Sequence, residues 1–325
     1  MALLRSPLPR RLLGALAMPA LAGLLLWLGP VAAQESRPVK PSSRPASRPS
    51  RAPDAGPISA ARVAARVTAS RARLAKSAGG RLVWKAIEAH GGLARWLAAG
   101  TVEFDFRYGP VGKPPMLNTR NRIDLWRSRA WQQELGEGAD ATFGWDGTDA
   151  WIKPGPKALP VPARFWALTP YYFLGIPFVL ADPGTEFEVL PDATLDGVAF
   201  DMVKITFTAG TGDAPDDFYV LYLDKASGLV KAIRYIVSYK AMFPKGGHSP
   251  EKLMMHSKQK TVGGLKLCVL METREWSAKA GAGKKTREAA VTNVKMGGKL
   301  PGTLFQKPEG AVRDTSLDGS AKSGD

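Results

Sequence analysis

Apolar and polar residues alternate along much of the chain beyond residue 100. The segment 102–108 reads VEFDFRY, with an apolar side chain at every second position. This period of two is typical of a strand with one buried face. Similar segments recur as far as 288–295, and a longer one spans 229–240. The pattern therefore predicts about eleven strands.

Turn signals separate several of these strands. Asp146-Gly147 lies between two of them, the segment 224–228 closes another pair, and Gly263-Gly264 closes a third. Short turns of this kind join antiparallel neighbours. Successive hairpins thus predict one antiparallel sheet, and the fold class is α+β and mainly β.

Two segments break the alternation. Apolar residues recur at helical spacing from about Arg81, and Gly91-Gly92 supplies the stop of this N-terminal helix. The segment 162–180, PARFWALTPYYFLGIPFVL, is densely aromatic and has no period of two. Because proline lacks a backbone donor, Pro170 and Pro177 are expected to divide it into short helices or turns, laid across one face of the sheet.

The first 33 residues have the features of an export signal. Arg5, Arg10 and Arg11 precede an apolar stretch from Leu12 to about Leu28, and the small residues VAA follow at 31–33. This arrangement predicts cleavage near Ala33. Glycine and proline interrupt the apolar stretch, which favours a cleaved signal over a membrane anchor. We therefore expect an exported, periplasmic protein.

The segment that follows is predicted to be a linker. Residues 34–57 are rich in Pro, Ser and Arg and have almost nothing to bury, so they are expected to stay extended and mobile. Residues 58–78 are rich in Ala and Arg and predict a marginal, partly formed basic helix. The expected organisation is a flexible linker over 34–80, a β domain over 81–312 and a disordered tail over 313–325.

The charge is concentrated outside the predicted β domain. The chain has a net charge of +16, but residues 1–80 carry 13 Lys/Arg and only two Asp/Glu, which leaves +5 for the remainder. A mildly basic, exported domain argues against nucleic acid as a partner. The basic linker would instead favour contact with an anionic membrane surface.

Motifs of catalysis and metal binding are missing from the sequence. The three histidines have no zinc spacing, and the single Cys268 excludes both an internal disulfide and a Cys-based zinc site. No Gly-x-Ser-x-Gly elbow and no phosphate-binding loop occurs. Aspartates cluster at 146–149 and 213–217, where they are typical of turns. We expect no enzyme activity, no metal and no cofactor, with a hydrolase using these carboxylates as an alternative.

Four short motifs occur in a distinctive order. They read AHGG at 89–92, WDGTDAW at 145–151, YLDKASGL at 222–229 and LFQKP at 304–308. Their order resembles the periplasmic outer-membrane lipoprotein-sorting proteins, the lipoprotein-carrier-like superfamily, over about residues 81–310. The resemblance implies a curved, half-open antiparallel sheet whose apolar concave face is covered by short lid helices. It also implies that this face holds acyl chains in transit, as in the carriers, or reports envelope stress, as in sensor relatives. By position, 162–180 matches the lid.

The function expected from these observations is non-catalytic binding of an acyl chain, a lipid or a lipidated protein in the concave face. Arg120, Arg122 and Arg164 are expected at its rim, where they would meet a headgroup. The alternative is a protein-interaction or envelope-stress sensor module whose core is filled; it predicts an exposed apolar patch. The expected ligand contacts are Trp126, Trp145, Trp151, Phe165, Trp166, Tyr171, Tyr172, Phe173, Phe178, Ile233 and Tyr235.

Overall fold

The computed structural model describes residues 52–214 and 216–318. The predicted signal peptide, the linker as far as residue 51 and the tail beyond 318 lie outside the described residues. The helices are α1 (Ala60–Leu74), α2 (Ala78–Ala89), α3 (Leu93–Ala99) and α4 (Ala163–Gly175). The strands are β1 (Thr101–Pro110), β2 (Leu117–Asp124), β3 (Arg129–Glu134), β4 (Thr142–Trp145), β5 (Ala150–Lys153), β6 (Thr185–Leu195), β7 (Val198–Phe207), β8 (Tyr219–Asp224), β9 (Val230–Tyr235), β10 (Lys252–Val262), β11 (Leu265–Ser277), β12 (Gly281–Met296) and β13 (Val312–Arg313).

The strands form one antiparallel, unclosed sheet in the order β13-β5-β4-β3-β2-β1-β12-β11-β10-β9-β8-β7-β6. Two meanders, β1–β5 and β6–β12, are joined where β1 pairs with β12. The predicted mainly β fold with a half-open sheet is thus confirmed, with thirteen strands in the described residues instead of about eleven. The predicted hairpins are confirmed as the β4–β5, β8–β9 and β10–β11 turns.

Topology explains why α4 crosses the sheet. The chain leaves β5, which lies beside the edge strand β13, and next enters β6 at the opposite edge. The connection between them has to traverse the sheet, and α4 lies in that connection. Its apolar residues bury the concave face together with α1–α3, around a core that includes Trp96, Phe104, Phe106 and Leu174.

The lid segment forms a longer helix than the sequence predicted. Pro170 lies inside α4 and does not divide it. A proline at this position leaves the carbonyl four residues earlier, that of Trp166, without its helical donor. The side chain of Gln132 on β3 supplies one, because its Nε2 donates to the carbonyl of Trp166 at 2.8 Å and to that of Ala167 at 2.9 Å. A buried amide from the sheet therefore compensates for the proline.

Order begins earlier in the chain than the predicted boundary at residue 81. Helix α1 docks on the domain and buries Val63 and Leu74. The guanidinium groups of Arg62 and Arg66 lie 4.8 and 4.9 Å from the ring centroid of Trp126, and Arg66 forms a 2.7 Å ion pair with Asp182. The apolar stripe of α1 is sparse, so these long-range arginine contacts supply much of its attachment.

The C-terminal segment also differs from the predicted disordered tail. Strand β13 pairs with β5. Asp314 follows it and accepts a hydrogen bond from the backbone N–H of Arg164 at 2.9 Å, which caps the first turn of α4. Arg313 pairs with Asp149 at 2.6 Å. Asp314 thereby ties the described part of the C-terminal segment to the N-terminus of α4.

The predicted strand 229–240 is shorter than expected. Strand β9 ends at Tyr235, and residues 236–251 form an irregular loop. Proline and paired glycines in this loop prevent a continuous ladder. Ser249 fastens the loop on itself, because its hydroxyl accepts from the N–H of Val237 at 3.1 Å and its own N–H donates to the Val237 carbonyl at 2.8 Å.

One buried ion pair braces the turn after β2. The carboxylate of Asp124 accepts from Nε and Nη2 of Arg129 at 2.9 and 2.7 Å. Both side chains are almost completely buried, with 1% and 5% exposure.

Across the described ranges, no helix has the combined length and apolar character needed to cross a membrane.

Candidate ligand-binding cavity

A half-open cavity of about 400 Å³ lies between α4 and the sheet. Its floor is formed by side chains from β1, β7–β10 and β12, its roof by α4, and its remaining wall by residues 211–214, Asp217 and the loop 236–249. The volume falls within the range of roughly 300–1,000 Å³ that small-molecule sites occupy. The lining is mainly apolar and aromatic, with a few charged groups at defined places.

Helix α4 is apolar on two sides. One stripe, formed by Ala163, Ala167, Pro170 and Leu174, is buried against the core. The other stripe lines the cavity and is only partly covered by protein; its members are Phe165, Leu168, Tyr172 and Phe173. A helix that is apolar all round is normally enclosed on every side. In α4 the second apolar side faces the cavity instead.

Aromatic rings continue from α4 onto the floor. Tyr108 of β1 lies 5.2 Å from Trp166 and 6.1 Å from Phe173, measured between ring centroids. The Nε1–H of Trp166, a residue with only 3% exposure, has no acceptor within the described part of the chain. A cavity-lining residue thus holds a buried donor whose hydrogen bond is unmade, which costs free energy until an acceptor is present.

Burial raises the pKa of the tyrosines around the cavity. The pKa of Tyr172 is raised to about 12, and that of Tyr239 also to about 12. The pKa values of Tyr219 and Tyr235 are raised as well, chiefly by the same removal from water. Their hydroxyls therefore remain neutral at physiological pH and act as hydrogen-bond partners rather than as charges.

Arg164 lies at the mouth, where it joins α4 to the 211–217 loop. Its guanidinium forms a bidentate pair with Asp213, at 2.8 Å between Nε and Oδ2 and 3.0 Å between Nη2 and Oδ1. The same group lies 3.6 Å from the ring centroid of Trp145. Because Asp213 and Trp145 both hold its guanidinium, Arg164 closes one end of the cavity and its charge is already neutralised.

Asp217 binds the loop 236–249 through Ser238. Its Oδ1 accepts from the N–H of Ser238 at 2.6 Å and from the Ser238 hydroxyl at 2.7 Å. Burial raises the pKa of Asp217, and the bonds from Ser238 act against that rise. The two acids that line the cavity thus hold its walls together, which favours a structural role for these turn carboxylates over a hydrolytic one.

Lys252 and Arg287 form a separate cationic side of the cavity. Arg287 lies over the ring of Tyr108, with its Cζ 5.9 Å from the centroid. The pKa of Lys252 is lowered, first by burial and then by the charge of Arg287. Within the described residues, neither side chain forms an ion pair with a carboxylate.

The structure brings together about half of the side chains that the sequence nominated. Those lining the cavity are Phe165, Trp166, Tyr172, Phe173, Ile233 and Tyr235, together with Arg164 at the mouth. Others serve the core or a neighbouring element. Tyr171 and Phe178 stack on Trp96 with centroids 6.2 and 4.9 Å away, and Trp151 donates to the Phe305 carbonyl at 3.0 Å.

Trp126, Trp145, Arg120 and Arg122 also lie outside the lining of the cavity. Trp126 anchors α1 and Trp145 supports Arg164, as described above. Arg120 and Arg122 bind Asp105 and Glu103 at 3.0 and 2.9 Å in a small polar groove. Since side chains alternate along a strand, this groove is on the opposite face of the sheet from Tyr108.

Several lining residues were absent from the sequence prediction. They are Tyr108, Met116, Phe207, Tyr219, Met254, Lys252 and Arg287, together with the two wall loops. Alternation in β1 had placed Tyr108 on an apolar face, so that residue carried a usable signal. No sequence pattern indicated Lys252 and Arg287, because the pairing of β10, β11 and β12 brings them together.

Within residues 52–214 and 216–318, no three His, Cys, Asp or Glu side chains are arranged to hold a metal ion.

Comparison with known proteins gives similar folds at low sequence identity. The structure is similar to a LolA superfamily protein from Nitrosomonas europaea, with 11% identity, a TM-score of 0.45, and coverage of 70% of this chain and 97% of that one. A DUF1329 family protein from Desulfovibrio piger gives 12% identity and a TM-score of 0.40, over 74% of this chain and 97% of that one. A domain named for outer membrane lipoprotein sorting, from Vibrio parahaemolyticus, gives 14% identity and a TM-score of 0.31, over 64% and 93%.

No protein-family model matches the chain, and no curated protein matches it either. At these identities the likeness concerns the fold alone.

Proposed function

We propose that this protein is an exported envelope protein that binds an apolar ligand in the cavity beneath α4, without catalysing a reaction. The ligand class is an acyl chain, a lipid or the lipid part of a lipoprotein. The N-terminal sequence supports a periplasmic location, because residues 1–33 have the charged start, apolar stretch and small residues of a cleaved signal.

The observation that carries the proposal is the second apolar face of α4. Phe165, Leu168, Tyr172 and Phe173 line the cavity and stay partly uncovered. Elsewhere in the described residues, the large apolar side chains with substantial exposure are four scattered valines, at 111, 189, 198 and 312. Half-buried aromatic side chains also occur outside the cavity, for example Trp84 and Phe187, but Phe165, Tyr172 and Phe173 share one concave space. This distribution favours a ligand inside the cavity over a protein bound to an outer apolar patch.

The expected driving force is burial of the ligand. Each methylene that leaves water contributes about 0.8 kcal/mol, which corresponds to about a fourfold decrease in Kd. A homologous series of neutral chains should therefore bind more tightly with each added carbon until the cavity is filled. Loss of translational freedom reduces the absolute affinity but is nearly constant along the series.

The test measures binding of octanol, decanol and dodecanol to the purified mature protein by titration calorimetry. We expect a decrease in Kd of about 16-fold for each pair of methylenes. Phe173→Asp should abolish binding, because an unpaired carboxylate in the cavity is costly to desolvate. Leu168→Asn serves as a milder second variant in case Phe173→Asp unfolds, and circular dichroism checks the fold of each.

The matched control is Val189→Asp, which adds the same carboxylate at a position with 45% exposure outside the cavity. It should bind like the wild type. Native mass spectrometry of protein purified from the periplasm without detergent complements the titrations by identifying any bound lipid. Absence of binding by all three alcohols, together with a ligand-free mass, would refute the proposal and favour a protein-interaction module.

A further inference from the structure

Two cations line the cavity without a carboxylate partner. Lys252 and Arg287 both belong to its lining, and both are half-buried. Two like charges that approach each other in a partly desolvated space are unfavourable for folding. In agreement with this, burial and the charge of Arg287 lower the pKa of Lys252. The fold alone does not account for their placement.

Strand pairing brings these cations to the same face. Lys252 pairs with Tyr235 across β10 and β9. Met254, two residues later and therefore on the same face, pairs with Thr273, which in turn pairs with Arg287. The result is a polar corner at the side of an otherwise apolar space. Tyr235 and Thr273, the ladder partners of Lys252 and Arg287, lie on the same face of the sheet in this corner.

The acidic residues next to Lys252 and Arg287 in sequence form ion pairs with other cations. Glu251 adjoins Lys252 in sequence but binds Arg234 at 3.4 Å. Glu288 adjoins Arg287 and binds Lys285 at 2.6 Å. Adjacent residues of a strand point to opposite faces, so Glu288 lies on the other side of the sheet from Arg287. Glu251 ends the loop before β10 and is held by Arg234.

Three further acids could approach from other elements. Glu275 is the ladder partner of Lys252 but binds Lys284 at 3.4 Å with 56% of its side chain exposed. Asp213 and Asp217, which line the cavity, are held by Arg164 and Ser238 as described above. Within the described residues, no carboxylate therefore neutralises the charges of Lys252 and Arg287.

We propose that the cavity takes an anionic amphiphile, whose apolar chain lies beneath α4 and whose negatively charged oxygen headgroup binds Lys252 and Arg287. This inference rests on the proposed function and narrows its ligand class. A carboxylate and a phosphate share the required chemistry, since both accept charge-assisted hydrogen bonds from lysine and arginine.

The experiment compares chains of equal length and different headgroup. Dodecanol, dodecanoate, monododecyl phosphate and dodecyltrimethylammonium are titrated into the mature protein below their critical micelle concentrations. We expect at least one of the two anions to bind at least tenfold more tightly than dodecanol, which equals about 1.4 kcal/mol. The cation should bind more weakly than dodecanol. Whichever anion binds more tightly distinguishes a carboxylate source from a phosphate source.

Lys252→Met and Arg287→Met should each reduce the affinity for the preferred anion, measured relative to that for dodecanol, about tenfold. Both retain an unbranched side chain, and removal of one of two repelling charges should not lower the urea midpoint. Lys260→Met is the control, because Lys260 is exposed on the same strand outside the cavity. It should change neither affinity.

The outcomes separate the two proposals. Equal affinities of anion and alcohol in the wild type, or an unaltered anion affinity in Lys252→Met and Arg287→Met, would overturn the headgroup assignment and leave apolar binding intact. Failure of the alcohol and of both anions to bind would overturn the proposed function itself.

Discussion

Acid should weaken the fold through two buried histidines next to the cavity-bearing strands. The ring of His256 has 6% exposure, and neither of its nitrogens has a hydrogen-bond partner among the described residues. Burial first, and then the charges of His90 and Lys231, lower its pKa from 6.5 to about 3. His90 is fully buried; its Nδ1 lies 2.7 Å from the Lys266 carbonyl and its Nε2 accepts from the N–H of Val230.

The sign of the effect follows from which state binds more protons. Burial, and to a smaller extent the charges of Lys266 and Lys231, lower the pKa of His90 to about 4, against the opposing bond to the Lys266 carbonyl. Both histidines thus have folded pKa values below the unfolded value. Between about pH 7 and pH 4 the unfolded state therefore binds more protons, and the free energy of unfolding falls as the pH falls. From pH 7 to pH 5, each histidine should remove about 2 kcal/mol.

The variant that isolates this contribution is His256→Leu. It removes one titrating group without breaking a hydrogen bond, and it replaces an unsatisfied polar ring by an apolar side chain. At pH 7 we expect it to be as stable as the wild type or more stable. Between pH 7 and pH 5 it should lose about 2 kcal/mol less than the wild type.

The assay is urea unfolding at both pH values, followed by tryptophan fluorescence and by circular dichroism. Contributions of the carboxylates are common to both proteins and cancel in the comparison. His248→Ala is the control, since His248 is exposed on the 236–251 loop, and it should lose as much stability as the wild type. A His256→Leu protein that loses as much as the wild type between the two pH values would refute the reasoning.

Three further substitutions test how the fold positions the lid. Gln132→Leu removes the amide that compensates for Pro170 and should cost about 1–3 kcal/mol in urea unfolding; an unchanged midpoint would show that α4 satisfies those carbonyls without it. Asp314→Ala removes the cap of α4 and should cost about 1 kcal/mol, with faster hydrogen exchange confined to the first turn of that helix; uniform acceleration throughout the domain would contradict this. Asp124→Ala leaves Arg129 buried and unpaired and should cost about 3–5 kcal/mol; a cost below 1 kcal/mol would mean that water reaches the guanidinium.

Local patterns were sufficient for the strands and their turns. The period of two in 102–108 identified β1 and its buried face, and Asp146-Gly147 and Gly263-Gly264 identified two of the hairpins. Both signals act over a few residues, because the pleat and the turn geometry depend on neighbours in sequence. The pattern failed at 229–240, where apolar residues continue beyond β9 but line the cavity wall as a loop.

The lid required contacts that sequence spacing does not contain. Pro170 correctly signalled a missing helical donor, but the compensating amide comes from Gln132, which lies on a different strand. Helix α1 was underestimated for a similar reason. Its apolar residues are few, and it is held by arginine contacts to Trp126 and Asp182.

By itself, the sequence determined that this protein has an antiparallel sheet with one apolar face and an aromatic segment to cover it. It could not determine which aromatic side chains would face the cavity. Phe173 and Leu174 are adjacent and equally apolar, yet one lines the cavity and the other is buried in the core. Only the tertiary structure decided this, because the pairing of β1 with β12 and the crossing of α4 from one sheet edge to the other set what lies opposite each side chain. The pairing of β10, β11 and β12 placed Lys252 and Arg287 together, since charge proximity in a sheet depends on strand register and not on distance along the chain.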